Sequence, residues 1–237
     1  MKKLILFIFI SHILSCSSSQ LNDGEEFSEN VTVSEIRKAY SIIPNCYEMD
    51  RALIFYPGGL VEPEAYIPLA VLLADQLNIA VFIQKMPFNL AIFGSHRADI
   101  ILAEYDYIDT WYLAGHSLGG VMAASYIYEN PKTFDALFLL ASYPVEKKSL
   151  KDHSISVLSI RGSEDGLVER DQIRESLNNL PDKTVFKEIP GANHSQFGSY
   201  GRQKGDNVST ISEKEQQNKT VKMMGEFLES ISSRRAD

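Results

Sequence analysis

The sequence predicts one α/β domain, with a mostly parallel sheet covered by helices on both faces. Three observations carry this expectation. From residue 52 onward, short apolar runs alternate with longer amphipathic stretches. Those runs are almost continuously apolar, as strands buried on both faces are. One of them leads directly into Gly115-His116-Ser117-Leu118-Gly119, ahead of a helical stretch. The chain has 237 residues, of which 44% are hydrophobic, enough to fill one such core.

At the N-terminus, Lys2 and Lys3 precede an apolar run over residues 4–14, broken by Ser11 and His12 and followed by Ser15 and Cys16. Charge, apolar run and small residue match an export signal over residues 1–15. The run is about half the roughly 20 residues that a membrane-spanning helix needs. Ile13-Leu14-Ser15-Cys16 resembles the lipobox of bacterial lipoproteins, with Ile13 where Leu is usual. That resemblance implies lipidation of Cys16, export, and a lipid anchor in the bacterial cell envelope. Plain secretion, with Cys16 a bystander, is the alternative. Two cysteines permit at most one disulfide, Cys16 to Cys46, and a lipid on Cys16 would leave Cys46 a single thiol. Residues 16–35 are expected to form a flexible tether, because residues 17–30 are Ser-, Asn-, Asp- and Glu-rich without apolar periodicity. The folded domain is then residues 36–237.

Within the domain, residues 52–56 (ALIFY) read as a buried strand stopped by Pro57-Gly58-Gly59. Residues 63–76 read as a helix, 80–84 as a strand and 96–105 as a helix. Residues 110–114 form the strand that enters the glycine-bracketed serine, and 118–128 the helix that leaves it. Residues 136–140, 155–160 and 185–189 read as three further strands, and 213–230 as the closing helix. No segment repeats at a fixed period, so a solenoid is not expected.

The formal net charge is −8, a poor match to nucleic acid or anionic lipid headgroups, and no basic stripe offsets it. Loss of Lys2 and Lys3 with the signal makes the chain more acidic still. There is no paired-His helix motif, no cysteine cluster and no phosphate-cradling loop, so neither metal nor cofactor is expected.

The chemistry is written in four places. Gly115-His116-Ser117-Leu118-Gly119 is a G-x-S-x-G motif between a strand and a helix, the setting of a nucleophile elbow. Its glycines let strand and helix meet closely, and the free N–H of Leu118 at the helix start can donate to an oxyanion. A serine hydroxyl needs a base. Of His12, His96, His116, His153 and His194, only His194 follows a late strand, in Pro190-Gly191-Ala192-Asn193-His194. The acid is expected between serine and histidine in the chain. Asp165 follows the strand at 155–160 by a short turn, with Glu164 as the competing carboxylate. A second oxyanion donor belongs to the loop after an earlier strand, and Gly59 is favoured there over Gly58 and Leu60.

These motifs, in this order, resemble the α/β-hydrolase superfamily over about residues 50–232. Phe55-Tyr56-Pro57-Gly58-Gly59, Lys85-Met86-Pro87-Phe88-Asn89-Leu90-Ala91 and His194-Ser195-Gln196-Phe197-Gly198-Ser199-Tyr200-Gly201 resemble a compact bacterial branch of it. The resemblance implies an α/β-hydrolase fold, with Ser117 as nucleophile, His194 as base, Asp165 as acid, and Gly59 and Leu118 as oxyanion donors. About 14 residues separate the strands at 136–140 and 155–160, too few for a helical cap by usual loop lengths. Residues 196–212 are the expected cover, with Tyr200, Arg202, Lys204 and Asp206 at its mouth. Residues 85–93, through Met86, Phe88 and Phe93, are the expected apolar wall.

The expected activity is cleavage of a carboxylic ester, or related acyl bond, in a small-molecule or lipid-like acyl substrate. A lipid-anchored binding or scaffold protein without turnover and an acyltransferase are the alternatives. Oligomeric state is not readable from the sequence.

Overall fold

The computed structural model describes residues 28–45, 49–168 and 174–236. The proposed signal, Cys16 and Cys46 lie outside the described residues.

Eight strands form one sheet: β1 (Val31–Ile36), β2 (Ala39–Pro44), β3 (Arg51–Tyr56), β4 (Ala80–Gln84), β5 (Thr110–His116), β6 (Ala136–Leu140), β7 (Ser156–Gly162) and β8 (Val185–Ile189). Their order is β1-β2-β4-β3-β5-β6-β7-β8. β2 pairs antiparallel with β1 and β4, while β4, β3, β5, β6, β7 and β8 run parallel. The helices that flank the sheet include α1 (Ile67–Leu77), α2 (Ala98–Glu104), α3 (Leu118–Glu129) and α4 (Glu213–Ala236).

Period-two alternation along β3 to β7 divides the core into two layers. Leu53, Phe55, Val81, Ile83, Phe138 and Leu158 face α1 and α4. Ile54, Phe82, Leu113, Leu137, Leu139 and Val157 face α2 and α3. Both faces are therefore covered, which is why these strands lack polar alternation.

The expected strands at 80–84, 136–140 and 185–189 are found at those bounds. Two expected helices start differently. Residues Pro63–Tyr66 and Ser95–Arg97 are 3₁₀ turns that lead into α1 and α2. Pro68 occupies the first turn of α1, where a missing N–H costs nothing.

The β1–β2 hairpin corrects the expected domain boundary. β1 begins at Val31, inside the stretch 16–35 expected to be a tether. The pairing Ile36↔Ala39 leaves Arg37 and Lys38 as a two-residue turn. β1 is largely exposed at the sheet edge and mixes Thr32, Ser34 and Glu35 with Val31, Val33 and Ile36. Between β6 and β7 the chain forms only the short 3₁₀ turn Glu146–Lys148, so no large cap is built there. Among the described residues, no helix is long and apolar enough to cross a membrane.

Candidate active site

Four loops leave the carboxyl ends of β3, β5, β7 and β8, where ligands of open α/β sheets bind. They carry Gly59, Ser117, Asp165 and His194 respectively.

Ser117 sits between β5 and α3 at φ 50° and ψ −124°, a conformation that L residues rarely adopt. The elbow survives because its surroundings fix it. Ser117 N–H donates to Leu140 O at 3.0 Å, and Ser142 Oγ donates to Ser117 O at 2.7 Å. Gly119 is required by proximity: a Cβ there would lie 2.1 Å from Tyr56 O and 2.4 Å from Pro57 O. One on Gly115 would lie 2.5 Å from Gly120 N.

Asp165 and His194 meet. His194 Nδ1 lies 2.9 Å from Asp165 Oδ2, and the two side chains are only 2% and 5% exposed. A carboxylate accepts only, so Nδ1 is the donor in this contact, which leaves Nε2 outside it. The other oxygen, Asp165 Oδ1, accepts from Leu167 N at 2.9 Å and Val168 N at 3.0 Å. Asp165 thus builds its own turn and still presents an oxygen to the imidazole. Glu164 turns to Ser163 Oγ instead, at 3.0 Å. The two loops touch: Glu164 N donates to Ala192 O at 2.8 Å, and a Cβ on Gly162 would lie 2.2 Å from that oxygen.

Among the described residues, no hydrogen bond joins Ser117 Oγ to the His194 imidazole. Such bonds commonly tighten only once substrate is bound. The elbow and the histidine loop are joined through His116. Its Nε2 donates to His194 O at 3.1 Å, and its ring centroid lies 4.7 Å from that of His194. Its Nδ1 accepts from Tyr66 O–H at 2.8 Å, and the Tyr66 oxygen accepts from Gly58 N at 2.9 Å. Burial, then the neighbouring His194, pushes His116 well below the ordinary histidine value, so it is neutral. Burial pushes Tyr66 well above the ordinary tyrosine value and keeps its hydroxyl protonated. One hydrogen-bonded chain therefore runs from the Gly58 loop through the residue before Ser117 to the backbone of His194.

The same bonds sort the N–H groups of the β3 loop. Gly58 N is taken by Tyr66, and Leu60 N donates to Asn89 O at 2.7 Å. Among the described residues, no partner takes the N–H of Gly59 or Leu118. These residues are neighbours, since a Cβ on Gly59 would lie 3.0 Å from Leu118 Cδ2.

The loop after His194 departs from expectation. Arg202 and Lys204 are exposed, as residues at a mouth would be, but Asp206 is 3% exposed and turned inward. An unpaired buried carboxylate would be very costly. Asp206 avoids that cost by accepting from Gly166 N, His194 N, Ser195 N, Ser195 Oγ and Asn207 N. Tyr200 packs onto Tyr66 and His116, with ring centroids 6.4 and 6.5 Å away. Asn193 is pinned from α4 by the fully buried Gln216, which accepts from its N–H at 3.0 Å and donates to its carbonyl at 2.9 Å. No local signal in the sequence marks Asp206, Tyr66, Ser142 or Gln216.

The expected apolar wall is half realised. Met86 is buried in the core, whereas Phe88 is 81% and Phe93 60% exposed, packed edge-to-face at 5.9 Å. Ile92 and Leu60 are also exposed, and Leu60 is hydrogen-bonded to the same loop through Asn89. A separate cavity of about 410 Å³, lined by His153, Lys183 and Phe227 among others, lies by the amino ends of β7 and β8, away from these four loops. Among the described residues, no group of His, Cys, Asp or Glu could hold a metal ion.

The strand order, the elbow and the four loops define an α/β hydrolase. Residues 52–218 match the Alpha/beta hydrolase family, and the chain belongs to it. No curated protein sequence matches the chain. Among solved structures, it is similar to a CIB-like hydrolase of Thermoplasma acidophilum at 13% identity and TM-score 0.62, over 83% of this chain and 99% of that one. Est1E of Butyrivibrio proteoclasticus is similar at 15% identity and TM-score 0.60, over 86% and 99%. A monoacylglycerol lipase of Paleococcus ferrophilus is similar at 13% identity and TM-score 0.58, over 80% and 99%. At these identities the likeness is one of fold.

Proposed function

We propose that the protein is a serine hydrolase that cleaves carboxylic esters through an acyl-enzyme. The observation that carries this reading is the buried 2.9 Å contact between His194 Nδ1 and Asp165 Oδ2, beside a serine held at φ 50°. In this reading Ser117 Oγ attacks the carbonyl carbon while His194 Nε2 takes its proton. Asp165 holds the tautomer and stabilises the imidazolium. The N–H groups of Gly59 and Leu118 receive the oxyanion, a role supported by their lack of partners among the described residues. His194 then protonates the leaving alcohol, and water repeats the sequence to release the acid. The monoacylglycerol lipase neighbour favours an ester over other acyl bonds, and exposed Phe88, Phe93, Ile92 and Leu60 favour an apolar substituent on it.

A panel of p-nitrophenyl esters from acetate to decanoate tests this. Turnover that rises with chain length and disappears in Ser117→Ala is expected. A folded protein inert to every ester would leave a binding role on a hydrolase fold. Release of new esters when an alcohol is added would indicate acyl transfer.

The reading also includes export and attachment through lipid on Cys16, which rests on the sequence around Ile13-Leu14-Ser15-Cys16 alone. Intact mass of protein extracted from membranes should show Cys16 as the acylated first residue. A different, unacylated N-terminus would refute the anchor.

A further inference from the structure

We infer that Asp206 is a positioning residue: its buried carboxylate holds the backbone of His194 and of the Asp165 loop in register, so that the imidazole faces its acid. This rests on the assignment of His194 and Asp165 proposed above. The carboxylate is 3% exposed and faces backbone donors from two separate loops. Oδ1 accepts from Gly166 N at 3.1 Å, His194 N at 3.3 Å and Asn207 N at 2.9 Å. Oδ2 accepts from Ser195 N at 2.8 Å and Ser195 Oγ at 2.6 Å. Gly166 follows Asp165, and Ser195 follows His194. One side chain therefore grips both members of the Asp165–His194 contact through their backbones, without touching either functional group.

Charge is required, not merely shape. Two carboxylate oxygens offer lone pairs to five donors, and neither need carry a proton. An amide of the same outline would turn an NH₂ towards one of the two donor sets. Whichever set loses its acceptor must move, and the 2.9 Å contact between His194 Nδ1 and Asp165 Oδ2 moves with it. Displacements near 1 Å in a reacting constellation cost on the order of a hundredfold in rate. Arg202 Nη1 donates to the carbonyl of Asp206 at 2.8 Å, and Gln203 N donates to Ser195 Oγ at 2.9 Å, so the loop that carries Asp206 is itself tied down.

The test compares full-length wild type, Asp206→Asn and Ser195→Ala. Two quantities are read at a temperature where circular dichroism shows all three folded. The first is the second-order rate of labelling by a fluorophosphonate. The second is the low-field proton resonance of His194 Nδ1–H, assigned by its loss in His194→Gln. Asp206→Asn should label at least about tenfold more slowly and shift or lose the resonance. Ser195→Ala, which removes one donor of five, should label about two- to fivefold more slowly with a smaller shift. If Asp206→Asn does not fold, Ser195→Ala carries the test alone. An unchanged rate and resonance in the folded variant would overturn the inference and leave Asp206 a structural staple of its loop. Failure of the reading beneath it looks different: wild type would not label at all. The resonance comparison would then still decide whether Asp206 sets the His194–Asp165 contact.

Discussion

Replacing His116 by leucine perturbs both the fold and its pH dependence in a way the structure makes specific. Leucine approximates the volume but makes neither hydrogen bond. The carbonyl of His194 loses the donor 3.1 Å away, and the Tyr66 hydroxyl loses the acceptor 2.8 Å away. Both lie in the buried interior. An orphaned buried polar group costs about 1–3 kcal/mol, so the pair should cost about 2–6 kcal/mol near neutral pH. A second effect has the opposite sign. His116 is held well below the ordinary histidine value of 6.5, chiefly by burial. Below that value the unfolded chain binds a proton that the folded chain refuses, so this group's contribution to stability is full above about pH 6.5 and is lost as pH falls. The loss is at most about 1.4 kcal/mol per pH unit. Leucine does not titrate, so it escapes this loss. The stability gap between wild type and His116→Leu should therefore be widest at pH 7.5 and narrow steadily towards pH 5.5. Urea unfolding followed by fluorescence of Trp111, the single and buried tryptophan, measures it at each pH. Other titrating groups are common to both proteins and largely cancel. A gap that does not change with pH, or one below about 0.5 kcal/mol at pH 7.5, would refute the argument that His116 is a neutral, doubly bonded link.

Three further substitutions probe separate parts of the account. Asp165→Asn keeps the outline but removes the carboxylate that fixes the His194 tautomer, and ester turnover should fall by about 10³- to 10⁴-fold with KM little changed in steady-state kinetics. Gly119→Ala places a Cβ 2.1 Å from Tyr56 O, a clash with backbone that no rotamer relieves, and should lower stability in urea by at least about 3 kcal/mol or prevent folding. Phe88 sits at φ 55° and is 81% exposed, so Phe88→Asn should relieve about 1 kcal/mol of left-handed strain while raising KM for decanoate more than for acetate. A stability loss with unchanged chain-length preference would remove Phe88 from the substrate side of the reading.

The parallel part of the sheet was legible because burial on both faces leaves strands such as residues 136–140 with no polar alternation at all. The β1–β2 hairpin was not. Its outer strand is largely exposed, and Arg37-Lys38 lacks the Asn-Gly or Asp-Gly chemistry that advertises a tight turn. The site divides in the same way. Ser117 announces itself locally, because an elbow needs glycines at fixed offsets. Asp165 and His194 follow from chain order after strands that could be read. Asp206 could not be read. It stands in a Gly-, Ser- and Asn-rich loop with no period, and its role exists only where backbone N–H groups from two loops converge. The sequence favours Gly59, but spacing does not separate it from Gly58 and Leu60; only the fold shows that Tyr66 and Asn89 already occupy the N–H groups of those two.

Every step of the proposed chemistry depends on the hydroxyl at position 117 being more reactive than an ordinary serine. Mass mapping after brief exposure to a fluorophosphonate measures that reactivity directly. The account predicts one adduct, confined to the peptide containing Ser117 and absent from Ser117→Ala. A folded protein that stays unmodified, or an adduct on any other residue, would contradict it.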